Sequence, residues 1–220
     1  MIYNYIGYGH PTTFGSYNTG FGFDVFKSYT TGDYNSFFGY QAGYGNTTGH
    51  RNNFFGCGAG YNNTTGYSNS FFGYQAGHNN TTGQCNNFFG YGAEHNNTTG
   101  YRNNFFGYCA GYTNTTGGYN VCIGYNAGYN ISGSNKLYIA NSDTNTLIYG
   151  DFANDYIGLI DNTSPTAALD INSDIVRLRT AKTPATAGAA GNAGNICWDA
   201  NYIYICVDTN TWKRVGIATW

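Results

Sequence analysis

Asn35-Ser36-Phe37-Phe38-Gly39, Asn52-Asn53-Phe54-Phe55-Gly56, Asn69-Ser70-Phe71-Phe72-Gly73, Asn86-Asn87-Phe88-Phe89-Gly90, Asn103-Asn104-Phe105-Phe106-Gly107 and Asn120-Val121-Cys122-Ile123-Gly124 are six copies of one phrase. Their final glycines return every 17 residues without slippage, and one step back the beat falls on Gly22. A small pair follows each copy, from Ala42-Gly43 to Ala127-Gly128 with Ala93-Glu94 as the exception. Thr-Thr-Gly triplets separate the copies, from Thr30-Thr31-Gly32 to Thr115-Thr116-Gly117. Each unit reads as a short Phe-rich strand, a Gly corner, a second short extended run and a Gly turn. Glycine this frequent weakens any helix. The period is too short for a helical pair or a propeller blade and fits one coil of a β-solenoid or β-roll.

Coils stacked about 4.8 Å apart line up identical side chains in ladders, Phe on Phe, Asn on Asn, Thr on Thr. Side chains alternate along a strand, so the two Phe of each unit point opposite ways. One column is Phe38, Phe55, Phe72, Phe89, Phe106 and Ile123; the other is Phe37, Phe54, Phe71, Phe88, Phe105 and Cys122. A coil has one interior, which leaves one aromatic column outside, a patch of the kind that soluble monomers avoid. The sequence therefore predicts that this column is buried between chains, each Phe contributing roughly 1.5–3 kcal/mol.

The chain has 220 residues, 33 Gly, 23 Tyr, 15 Phe and 9% charged residues. Nineteen per cent aromatics is too many for disorder. With Lys27, Arg51 and Arg102 the only basic residues between Pro11 and Ser134, nucleic acid is not an expected partner. No secretory leader or membrane span is read after Met1, and Tyr5-Ile6-Gly7 reads as a degenerate first coil; if Met1 is the true start, almost no room for an N-terminal attachment domain is expected. The repeat region is expected to run over 1–142. Charge returns after it, with eight of the eleven acidic residues from Asp143 onward. A strand connector is expected over 143–180. Over 181–220, a β-meander with turns at 199–201 and 209–211 forms a compact tip.

Six cysteines stand at 57, 85, 109, 122, 197 and 206, without metal-ligand spacing. Cys197 and Cys206 flank the expected hairpin and are a candidate pair. No cofactor is implied. Enzymatic chemistry is not expected either, because the repeats hold only Asp24, Asp33 and Glu94 and offer no pair of carboxylates in one cleft. Nor do the glycines lead into a helix that could cradle phosphate.

Units such as Phe71-Phe72-Gly73-Tyr74-Gln75-Ala76-Gly77-His78-Asn79-Asn80-Thr81-Thr82-Gly83 resemble bacteriophage tail-fibre and receptor-binding proteins. So do the exit Gly133-Ser134-Asn135-Lys136-Leu137-Tyr138-Ile139-Ala140-Asn141 and the junction Thr163-Ser164-Pro165-Thr166-Ala167-Ala168-Leu169-Asp170. The coil is similar to the β-roll heads of trimeric autotransporter adhesins. The resemblance implies a homotrimer that attaches a virion to a host-surface glycan or protein, joined to other tail or baseplate proteins, located on the virion and assembled in the host cytoplasm, without membrane insertion. A Ser-Lys autoproteolytic chaperone end of that family is not found here. The alternatives are a structural subunit of a shaft or extracellular filament, and a bacterial adhesin.

Three groups of side chains are candidates for binding. Trp198, Tyr202, Tyr204, Trp212 and Trp220 lie in the tip, which meets a partner first; their other reading is a small β core. His78 and His95 share a column with Tyr44, Tyr61, Tyr112 and Tyr129, where a trimer could gather two rings of imidazoles around a metal; equally, they serve as flat surface side chains. The Tyr40, Tyr74, Tyr91, Tyr108 and Tyr125 column offers either a surface for sugars or packing with wet hydroxyls. Adjacent Thr-Thr does not place both hydroxyls on one face, against an ice-binding surface.

Overall fold

The computed structural model of the chain describes residues 4–6, 15–28, 31–159, 163, 169–171 and 184–217. These residues are all-β with no helix, and the repeats form a β-solenoid of about seven turns, as the period predicts. The chain divides into two compact units, Met1–Asn172 and Ser173–Trp220.

In the first unit, twelve strands form one sheet in chain order. Strands β1 (Asn4–Ile6), β2 (Thr19–Phe21), β3 (Ser36–Phe38), β4 (Asn53–Phe55), β5 (Ser70–Phe72), β6 (Asn87–Phe89), β7 (Asn104–Phe106) and β8 (Val121–Ile123) give three residues per coil. Each pairs parallel with the next, Phe54 on Phe71 and Phe55 on Phe72, so the register of the sequence is the register of the sheet. Strand β9 (Lys136–Ala140) adds to β8 in parallel; β10 (Thr146–Asp151) and β11 (Tyr156–Leu159) then run antiparallel, and β12 (Leu169–Ile171) returns parallel to β11. The last part of the expected strand connector, residues 172–180, lies outside the described residues.

The pleat is settled in favour of one column. Phe37, Phe54, Phe71, Phe88 and Phe105 are fully buried, with Ala42, Ala59, Ala76, Ala93, Ala110 and Ala127 filling the space beside them. The rings of Phe37, Phe54, Phe71 and Phe88 stack at 4.6–4.8 Å, close to the spacing of hydrogen-bonded strands. The outer column, Phe38 to Phe89, is half-buried by its own stacking at 4.7–4.8 Å, and Phe106 and Ile123 at its end are exposed. Pairing carries this column onward through Ile139, Ile148 and Leu159.

The expected second extended run is absent. Residues 40–45 and their equivalents are turns, because the backbone takes positive φ at Gln41 (54°) and Gly43 (60°) and cannot continue as a strand. The coil is closed by asparagine instead. Asn52 and Asn63 both donate their amide N–H to the Gly66 carbonyl, at 2.8 and 3.0 Å. Asn35 Oδ1 accepts the backbone N–H of Asn52 (2.9 Å), and Asn46 Oδ1 accepts the amide of Asn63 (2.7 Å). A side chain with both donor and acceptor can thus satisfy the buried backbone within a coil and between coils, which explains why Asn occupies both columns in buried positions. Thr47, Thr64, Thr81 and Thr98 add hydroxyl bonds to the next coil's carbonyl at 2.9–3.0 Å.

In the second unit, β13 (Ile196–Trp198), β14 (Tyr202–Asp208) and β15 (Thr211–Gly216) form the antiparallel meander that the alternating pattern predicts. Cys197, Tyr204 and Cys206 are buried on one face; Cys197 and Cys206 are separate free thiols, not a pair. The other face exposes Ile196, Ile203, Ile205, Val207 and Val215.

Candidate functional site

Besides the outer Phe column, the solenoid surface carries a long stacked column of Tyr and another of Tyr and His. Tyr74, Tyr91, Tyr108 and Tyr125 lie ring on ring at 4.8–5.1 Å with planes within 16° of parallel. Each internal ring has both faces covered by its neighbours and turns its edge outward. Sugar stacking needs a free face, so this geometry favours packing for the column. The second column runs Tyr44, Tyr61, His78, His95, Tyr112, Tyr129 at 4.7–5.1 Å. His78 and His95 share hydrogen bonds through Nδ1 with Asn79 (2.9 Å) and Asn96 (3.0 Å). Partial burial holds His78 below the usual imidazole range, with neighbouring His95 acting in the same direction and Asn79 opposing. Among the described residues, no cluster of three His, Cys, Asp or Glu gathers as a metal site.

Glu94 stands where neighbouring coils have Gly43, Gly60, Gly77, Gly111 and Gly128, and the sequence alone does not disclose its depth. Its side chain is fully buried, at φ +48°, with Oε1 unpartnered and Oε2 3.5 Å from the amide of Asn114. Room for it is made beside the core ladder, where the Phe88–Phe105 spacing opens to 5.5 Å. Burial raises its carboxyl well above the ordinary range. A folded-state pKa above the unfolded one means the native chain holds the proton more tightly. Glu94 therefore costs least below the unfolded pKa, and stability falls as pH rises from there toward the folded value. Glu94→Gly is expected to raise the unfolding free energy by about 1–3 kcal/mol by removing the unpaired carboxyl. Urea titrations at pH 5 and pH 8 should show that this gain grows with pH.

The tip separates the candidates named from sequence. Register puts Tyr204 opposite Arg214 and Cys206 opposite Trp212 on one face, and Trp198 opposite Ile203 on the other. Tyr202, two residues from Tyr204, shares the first face, so Trp198 is not part of that group. Trp220 lies outside the described residues. Residues 184–195, an Ala/Gly stretch, fold over the first face. The indole N–H of Trp212 donates to the Ala189 carbonyl (3.0 Å), and the Trp212 backbone N–H donates to the Ala187 carbonyl (2.9 Å). Two hollows border Trp212, of about 450 and 530 Å³. Arg214, whose guanidinium lies 4.1 Å from the Tyr202 ring centroid, was missed from sequence. The alternation along Thr211–Gly216 would have placed it with Trp212.

No family model and no solved structure matches the chain. Part of it is similar to two phage proteins. One is a depolymerase of Klebsiella phage K5-2 named as specific for capsule K30/K69, 46% identical over 41 residues, 19% of this chain and 5% of that protein. The other is a depolymerase of Klebsiella phage K64-1 with the same named specificity, 45% identical over 56 residues, 26% of this chain and 7% of that protein. The chain thus spans a small part of the length of the relatives it matches. The expectation that this is no enzyme is corrected here: the relatives are named depolymerases, which are enzymes, and a lack of paired carboxylates in the repeats does not exclude that chemistry. A β-solenoid with partial homology to phage capsule depolymerases fits a phage receptor-binding protein.

Proposed function

We propose that the chain is part of a phage tail-spike or receptor-binding protein that engages capsular polysaccharide and works as a homotrimer on the virion. The partial similarity to two capsule depolymerases carries this reading. The solenoid supplies the rigid body: identical coils, each bonded to the next, hold exposed side chains in fixed rows. The homotrimer is supported by two unpartnered apolar surfaces, the outer Phe column and the aliphatic face of the tip sheet. Such ladders can be covered by copies of themselves, because their spacing repeats along the chain.

The test is adsorption of the purified chain to encapsulated Klebsiella of types K30 and K69 and to capsule-free derivatives, with release of reducing ends from purified capsule measured in parallel. Adsorption that depends on capsule is the expected result; reducing ends would add cleavage to binding. Equal adsorption to both cell types, or none, would overturn the reading.

A further inference from the structure

The cleft of about 450 Å³ on the tip is walled by the 184–187 segment on one side and by Tyr204, Trp212, Lys213 and Arg214 on the other. Its size is that of a small-ligand pocket. Trp212 is held in place there. Its N–H is committed to Ala189, and a Cβ on Gly191 would come within 2.5 Å of the ring, so the loop lies directly against the indole. The ring is only half-buried and borders two hollows, which leaves an aromatic surface whose orientation costs little entropy to use.

The polar groups beside it are arranged for an anion. Arg214 rests on the Tyr202 ring, with its guanidinium 4.1 Å from the centroid. The acidic neighbour is Asp199, and its oxygens already accept three hydrogen bonds: Oδ1 from the N–H groups of Asn201 (2.8 Å) and Tyr202 (2.9 Å), Oδ2 from the Tyr204 hydroxyl (2.6 Å). Among the described residues, neither Arg214 nor Lys213 forms an ion pair, and Arg214 shares a side-chain hydrogen bond with the Tyr204 hydroxyl. The site thus combines a fixed aromatic plane with a guanidinium fork that matches a carboxylate in geometry.

We propose that this cleft binds an acidic saccharide, its ring against Trp212 and its carboxylate on Arg214. The assignment rests on the capsule-directed reading and adds the class of sugar.

Calorimetric titration of the intact chain with oligosaccharides of galacturonate, glucuronate and mannuronate, and with their neutral methyl esters, tests it. At least one acid should bind, with the ester at least about tenfold weaker, and Arg214→Gln should weaken the acid by at least about tenfold while keeping the far-ultraviolet circular dichroism of the folded chain. Trp212→Phe, which keeps an aromatic ring, should retain part of the affinity. No binding by any acid, equal binding of acid and ester, or full binding by Arg214→Gln would each overturn the assignment. Adsorption of Arg214→Gln to encapsulated cells separates the two ideas. Unchanged adsorption with no saccharide binding sinks the cleft alone, whereas a wild-type chain that binds the acid but ignores capsule sinks the capsule reading alone.

Discussion

Gly73→Ala is expected to lower the unfolding free energy by about 4 kcal/mol or more, placing it among the largest single-residue effects. Gly73 has φ +141°, a region closed to side chains, and a Cβ there would stand 2.3 Å from the Gly90 carbonyl oxygen of the next coil. Relief would require the coils to separate, and their spacing is fixed by backbone bonds on both sides: Gly73 N–H to Phe55 O and Gly90 N–H to Phe72 O, each 2.8 Å. Gly58 is the control. Its φ is +66°, its Cβ would meet nothing nearer than 3.4 Å, and Gln41, Gln75, Cys109 and Asn126 occupy the same position at similar positive φ. Gly58→Ala should therefore cost only about 1 kcal/mol. Chemical unfolding followed by far-ultraviolet circular dichroism compares the two; similar losses would show that inter-coil approach is not what demands glycine at 73.

Phe71→Ala should cost about 3–5 kcal/mol, and its neighbour Phe72→Ala should do something different in kind. Phe71 is fully buried between Phe54 and Phe88, at 4.8 and 4.7 Å, so truncation opens a gap that the bonded coils cannot close. Phe72 is stacked at similar distances but faces outward and is only half-buried. Its loss should cost an isolated chain less, about 1–2 kcal/mol, while lowering the mass seen by light scattering, if the outer ladder lies between subunits as proposed. An undiminished mass for Phe72→Ala, Phe55→Ala and the double variant would remove the ladder from the interface.

The repeat was legible because in-register stacking demands the same residue type at the same place in every coil, and 17-residue spacing records that demand directly. Alternation also showed that Phe71 and Phe72 part ways. It could not say which goes inside, since that depends on the positive-φ corner at Gly73 and on where Ala76 lands after it. The second run was misread as extended for the same reason: Gln75 at φ +52° turns the chain, and no residue preference announces a left-handed glutamine. Asn ladders were expected as stacking; their task of satisfying the buried carbonyls of Gly49, Gly66 and Gly83 emerges only once the coil is closed. In the tip, alternation gave the strands. The grouping of Tyr202, Tyr204, Trp212 and Arg214 depends on which face the Ala/Gly segment covers, and its composition does not disclose that.

The two asparagine columns have one more consequence. Each coil hands the next the same set of donors and acceptors that it received, as when Asn69 N–H meets Asn52 Oδ1 and Asn86 N–H meets Asn69 Oδ1, both at 3.0 Å. Coils are therefore interchangeable parts. Adding or removing one 17-residue unit would lengthen or shorten the solenoid by a whole coil, a step of about 4.8 Å, without exposing a mismatched seam. The length of the solenoid is thus free to change in discrete increments while every inter-coil contact stays the same.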